Sequence, residues 1–277
     1  MSAARVLGRT NATVEPVSLG GEGILRTHGR AAEAVPVVLE ALHQGVRYCD
    51  TAPAYASSQD YYGAAFRREP GARDRVFLAS KTHARTRDGA LALLEDSLRR
   101  LGTDHLDLWQ MHDLRSEEEL DELFGPGGAL EAAERARRDG KIRFVGLTGH
   151  ERPQILLSAM ERYAFDVVLL PVNPADPARL PFVTTVIPRA RALGMGVVAM
   201  KVLAHGMLVA DGAATAEECV RYAMAHADTM IVGCSSPEEV REDLHLGRTC
   251  APMDAREQRA LEARVAARAE RYAYFKA

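Results

Sequence analysis

Short apolar runs alternate along this chain with longer stretches in which apolar residues recur every three or four positions, and that alternation predicts a parallel sheet with helical crossovers. Strands are expected near residues 17–19, 47–49, 76–79, 106–111, 142–146, 167–170, 196–200 and 229–232. Helices are expected over 31–44, 59–68, 87–101, 129–138, 153–161, 181–193, 216–225 and 237–246. Gly45, Gly102, Gly140 and Gly194 stand just past helical runs, where glycine is favoured, and Ser236 before Pro237 offers an N-cap with proline in the first turn. Ahead of the first strand, residues 6–14 predict a small hairpin around Arg9-Thr10-Asn11 that caps a barrel floor, and residues 253–271 predict an extra outer helix at the other end. No linker-like stretch divides the chain, so one domain over residues 1–277 is expected.

Eight β-to-α repeats favour a closed α/β barrel of the (β/α)8 TIM type over an open doubly wound sheet, and 277 residues suit the roughly 250 that such a barrel takes. The balance of 47% hydrophobic and 26% charged residues is that of an ordinary globular protein. A net charge of -3 leaves no electrostatic footprint for nucleic acid or an anionic membrane, so neither partner is expected. With no apolar stretch of signal-peptide or membrane-spanning length, a cytoplasmic location is expected. Cys49, Cys219, Cys234 and Cys250 lack any C-x-x-C pair and read as free thiols, and the nine histidines show no paired ligand spacing, so no metal is expected.

Chemistry in a barrel gathers at the C-terminal strand ends. Four polar residues stand there: Asp50 after the second strand, Tyr55 in the loop that follows, Lys81 after the third and His112 after the fourth. Singly each has an ordinary explanation as a turn cap, a surface ion partner, a loop anchor or a satisfied core histidine. Jointly, on consecutive strands, they form a site. A phenol with a pKa near 10 is a poor proton carrier at neutral pH, but a neighbouring ammonium lowers that value and a carboxylate fixes the ammonium. On this reading Lys81 and Asp50 bring the Tyr55 proton within reach of neutral pH, and His112 donates a hydrogen bond to a substrate carbonyl. Glu22, Arg26, His28, His83 and Asp113 are candidates for a polar substrate pocket. Trp109, out of phase with His112, is expected to face the helices. The aromatic tail of Tyr272, Tyr274 and Phe275 either folds over the pocket mouth or, the favoured expectation, packs on the barrel wall as a helix end.

No G-x-G-x-x-G follows a strand, which argues against a Rossmann site. Barrels commonly bind phosphate with the loops after strands 7 and 8. Here those loops hold Lys201, Leu203, Gly206 and Leu208, and Gly233, Ser235 and Ser236.

Residues 46–55, ending in Cys49-Asp50-Thr51-Ala52-Pro53-Ala54-Tyr55, with Ser58 and Gly63 beyond, resemble the first signature of the aldo-keto reductase family. Ser80-Lys81, residues 96–104, Asp107-Leu108-Trp109-Gln110-Met111-His112, residues 140–146, 194–201 and 231–233 continue the likeness over nearly the whole chain. The resemblance implies a nicotinamide-dependent carbonyl reductase or alcohol dehydrogenase with Tyr55 as general acid/base, Lys81 and Asp50 as its tuners and His112 as the carbonyl orienter. It also implies that Thr148, Gly149 and His150 face the nicotinamide amide, where the family usually has Ser-Asn. Leu169 stands where a glutamine is common, with Asn173 as its substitute, and Met200 where an aromatic ring is common. Gly233, Glu239 and Asp243 occupy positions that often carry a base or a neutral amide for a 2′-phosphate, so NADP and NAD both stay open as cofactor, with Arg241 or Arg248 available to compensate.

Three function classes follow. The first is an oxidoreductase acting on a small aldehyde, ketone or sugar-like alcohol, as a monomer or small homo-oligomer. The second is a lyase in which Lys81 forms a Schiff base. The third is a non-catalytic barrel that binds nicotinamide as a regulatory module.

Overall fold

A computed structural model describes residues 4–276, and in it eight parallel strands close on themselves. They are β1 (Val17–Gly23), β2 (Tyr48–Asp50), β3 (Phe77–Thr82), β4 (Leu106–Met111), β5 (Ile142–Thr148), β6 (Val167–Pro171), β7 (Gly196–Met200) and β8 (Thr229–Cys234). Each pairs with the next, and β8 pairs with β1. The expected (β/α)8 barrel is thus the fold. The two-residue strands Arg5–Val6 and Thr13–Val14 pair antiparallel beneath it, on either side of a tight turn over Gly8–Thr10.

Two cores follow from the period-2 alternation of side chains along a strand. Inside the barrel lie Tyr48, Phe77, Ala79, Leu108, Leu169 and Val198, closed from below by Leu7 and Val14 of the hairpin. The intervening residues, among them Cys49, Leu78, Trp109 and Val168, pack outward against the helices. Trp109 therefore faces the helix layer as its phase requires. The same alternation aims Asp50 inward above Tyr48, Lys81 above Ala79, and Gln110 above Leu108. Their floor is aromatic, with the Tyr48 and Phe77 rings 5.7 Å apart and Phe77 and Phe144 5.9 Å apart.

The helices depart from expectation in three places. Glu117–Phe124 is a helix, capped by the Ser116 hydroxyl accepting from the Glu119 amide. Its first turn is Glu117-Glu118-Glu119 and its apolar stripe is short, confined to Leu120, Leu123 and Phe124. The helix expected over 181–193 is confined to Val186–Ala192. Asp176 accepts from the Val183 amide at 2.8 Å and pairs with the buried Lys276 ammonium, which holds the preceding segment as a turn. The outer C-terminal helix is Ala255–Val265, followed by a 3-10 turn over Ala266–Arg268 and a last turn over Ala269–Tyr272.

Helix Ser58–Arg68, which follows the Tyr55 loop, crosses the helix Arg87–Leu101 at Gly63. A Cβ at Gly63 would stand 2.2 Å from the Arg100 carbonyl oxygen, backbone that has no cheap way to move. Gly63→Ala is therefore expected to cost about 1–3 kcal/mol in urea unfolding through overpacking. Gly89→Ala, whose new methyl meets only the Thr86 hydroxyl and the Ala84 methyl at 3.0 Å or more, is the milder control. Equal midpoints for the two variants would refute the close-contact account.

Candidate active site

The C-terminal mouth of the barrel brings the four strand-end residues together. Asp50 ends β2, and its carboxylate takes the Lys81 ammonium on one oxygen and the Gln110 amide, at 3.0 Å, on the other. Lys81 also donates to the Thr51 carbonyl at 3.0 Å, and both ionic side chains are 0% exposed. A buried ion pair needs its remaining hydrogen-bonding capacity met. Gln110 and the Thr51 carbonyl meet part of it. Gln110 has no role in the resemblance; its signal in the sequence is a polar residue in phase with Leu108, at an inward position of the strand.

Tyr55 lies in the turn between β2 and helix Ser58–Arg68, its amide donating to the Ala52 carbonyl at 3.1 Å. The Lys81 nitrogen stands 4.7 Å from the centre of its ring and the Arg26 guanidinium 5.2 Å. The ring packs against β1 where Gly21 leaves room, since a Cβ there would stand 2.7 Å from Tyr55 Cδ2. His112 meets the Tyr55 ring edge-on, with ring centres 5.8 Å apart. Its chain is held by Arg85, which donates to the carbonyls of His112 and Asp113 at 2.9 and 3.0 Å and pairs with Glu119. Nothing in the local sequence marked Arg85 for that task.

Proton affinities correct one expectation. Burial raises Tyr55 above the ordinary phenol value, and the Lys81 ammonium, its field opposed by Asp50 and Glu22, does not reverse that. Tyr55 is therefore a neutral phenol at neutral pH, a proton donor rather than a phenolate. Burial pulls Lys81 down, while Asp50 and Tyr55 more than offset this and leave it above its usual value. Burial, with Lys81 next, pushes His112 down to about 2, so its imidazole is neutral and offers one N–H.

Tyr55 lines a cavity of about 530 Å³ together with His150, Met200, Lys201, Leu203, Gly206, Gly233, Glu239 and Asp243. This volume lies in the range of cofactor sites. His150 Nδ1 is buried without a hydrogen-bond partner among the described residues, a polar atom suited to an amide group. Met200 caps the inner core beneath it. The other residues named from the sequence stand behind these. Thr148 is buried and accepts from the Asp113 amide at 2.7 Å. Gly149 packs on Leu156, which a Cβ would approach to 2.8 Å. Asn173 is fully buried, donating to the Lys201 carbonyl at 3.1 Å and accepting from the Ala175 amide at 3.0 Å, so it shapes the loop after β7. Leu208 lies in the outer core. Ser236 caps the helix Pro237–Thr249, and the Ser235 amide donates to Glu239 at 2.7 Å. The C-terminal tail meets the cavity's lining, the first of its two expected placements: Tyr274 meets His205 edge-on at 5.5 Å, and the Lys201 nitrogen lies 5.1 Å from the Phe275 ring centre.

A family model described as the aldo/keto reductase family matches residues 17–213. The chain is 28% identical over 168 residues to 6-dehydroglucose reductase of Novosphingobium aromaticivorans, covering 55% of this chain and 53% of that protein. It is 27% identical over 226 residues to L-galactose dehydrogenase of Arabidopsis thaliana, covering 75% of this chain and 67% of that protein. The match thus spans about half the length of the first relative. In fold it resembles an aldo-keto reductase from Bacillus halodurans in its holo form, with a TM-score of 0.79 at 22% identity over 95% of this chain and 96% of that one.

The depressed imidazoles set a pH dependence. An unfolded histidine titrates near 6.5, whereas in the folded state His112 does so at about 2 and His150 at about 4. Unfolding therefore takes up protons below about pH 6.5, and stability from these groups is lost as the pH falls from there. In urea unfolding between pH 6.5 and 5, His112→Gln is expected to flatten the pH slope by about 1 kcal/mol per pH unit relative to the parent protein. Parallel slopes would show that His112 carries a proton in the folded state.

Proposed function

Because the chain belongs to the aldo/keto reductase family, we propose that it is a carbonyl reductase, and in reverse an alcohol dehydrogenase, in which Tyr55 carries the proton. The family uses NAD(P)H, which when bound supplies the hydride. The observation that carries the reading is the Tyr55 phenol, kept neutral by burial, lining the cavity with the closed Asp50–Lys81 pair beside its ring. A neutral donor suits reduction, where charge grows on the carbonyl oxygen and a proton must meet it.

On this reading His150, Met200, Lys201, Leu203, Gly206 and Gly233 hold the dinucleotide. The neutral His112 N–H and the Tyr55 hydroxyl converge on the substrate oxygen, the first orienting it and the second delivering the proton. Lys81 then stabilises the phenolate left on Tyr55, and Asp50 and Gln110 keep the ammonium in place. Both relatives carry the names of sugar oxidoreductases, which supports a small sugar-like aldehyde, ketone or alcohol as substrate. The Schiff-base alternative loses support because the Lys81 nitrogen is enclosed by Asp50 and the Thr51 carbonyl. A regulatory module without turnover is less well supported, because it needs no proton donor lining the cavity. Among the described residues no helix is long and apolar enough to cross a membrane.

Tyr55→Phe is expected to lower kcat by about 10²- to 10⁴-fold while changing nucleotide affinity less than about threefold, since only the transferred proton is removed. Near-parental turnover of a carbonyl substrate by this variant would overturn the assignment. Lys81→Met leaves the Asp50 carboxylate buried without its ion and is expected to cost about 3–5 kcal/mol of stability. Asp50→Asn with Lys81→Met removes both charges and should recover most of that stability without recovering the rate. Recovery of both would mean that the pair serves the fold alone.

A further inference from the structure

We propose that this protein takes NAD(H) and discriminates against NADP(H), with Glu239 and Asp243 as the discriminating residues. The inference rests on the nicotinamide reading above. The cavity is lined by Tyr55, from the loop after β2, and by Gly233, Glu239 and Asp243, which belong to β8 and the helix after it. A hydride has to be delivered beside the proton donor, so the nicotinamide lies at the Tyr55 end. The adenosine half then extends toward the two carboxylates.

That end is built against a phosphate in three independent ways. First, a helix N-terminus is normally an anion site because its amides are free. Here Glu239 Oε2 already accepts from the Ser235 amide at 2.7 Å, and the Ser236 hydroxyl accepts from the Glu239 amide at 3.3 Å. Second, the arginines of this helix are turned elsewhere. Arg241 pairs with Glu40 at 3.1 Å and Glu238 at 2.6 Å, and Arg248 donates to the Gln44 side-chain oxygen at 3.2 Å. Third, Asp243 lines the same cavity as Glu239, and among the described residues its carboxylate receives just the weak Cys234 thiol at 3.6 Å. Lys201, an ammonium in the cavity lining, belongs to the loop after β7 and interacts with Glu22 and Asp113.

A 2′-phosphate would add about two negative charges next to two carboxylates, and like charges at contact distance repel strongly outside bulk water. A ribose 2′-hydroxyl is a hydrogen-bond donor, and an acceptor carboxylate is the group that dinucleotide sites use to select it. The same two side chains thus reject one nucleotide and accept the other.

The test is calorimetric titration of the full-length protein with NADH and with NADPH at one ionic strength. NADH is expected to bind at least tenfold tighter. Equal affinities, or tighter NADPH, would overturn the selectivity while leaving the carbonyl reductase reading intact. Binding of neither nucleotide would overturn both. Glu239→Gln keeps an oxygen acceptor for the Ser235 amide and removes one charge, so it is expected to raise NADPH affinity at least threefold at an unchanged thermal midpoint. An unchanged NADPH affinity in that variant would remove Glu239 from the mechanism of selection.

Discussion

The ion pair between Asp50 and Lys81 is the interaction on which the site depends. Two opposite charges stand inside the barrel with no solvent contact, an arrangement that is tolerable only if each finds its counter-charge and the leftover hydrogen-bonding capacity is used. β2, β3 and β4 each contribute one inward side chain to meet that demand: Asp50, Lys81 and Gln110. The three strands are thereby locked in register at their C-terminal ends. Tyr55 and His112, on the loop and strand end just above, take their positions from this layer.

A consequence is that charge near the phenol is almost balanced. Lys81 favours a phenolate and Asp50 opposes it, so burial decides and the phenol keeps its proton. In the proposed reaction the pair holds its charge in reserve: an ammonium 4.7 Å from the ring is in place to stabilise the phenolate that proton transfer would leave. Electrostatic design is also visible at the other end of the cavity, with the opposite sign. There Glu239 and Asp243 stand where a free helix N-terminus would otherwise attract anions. On the proposed function, one cavity thus joins a cation-supported proton donor to a carboxylate-lined wall that the nucleotide would meet.

Much of this was legible in the chain. The barrel followed from eight alternations of apolar run and amphipathic helix, and the quartet from polar residues placed where inward positions leave the apolar core. Three kinds of feature were not. Helix Glu117–Phe124 is only eight residues long and begins with three glutamates, so its apolar stripe is confined to Leu120, Leu123 and Phe124. Gln110 and Arg85 act through partners on other strands, and a local pattern does not distinguish them from solvated polar residues. The Tyr55 proton affinity depends on a burial that no linear spacing encodes. Arg241 and Arg248 were candidates to neutralise a phosphate until their partners Glu40 and Gln44, some two hundred residues earlier in the chain, were seen to hold them.

The central claim is that Tyr55 works as a neutral phenol above a charge-balanced layer. Carbon-13 NMR of tyrosine labelled at Cζ, with Tyr55→Phe to assign the resonance, reads that protonation state directly. The account predicts that the Tyr55 signal keeps its neutral-phenol shift up to pH 10, above the ordinary tyrosine range. A Tyr55 signal that moves to the phenolate position near pH 7 or 8 would contradict it.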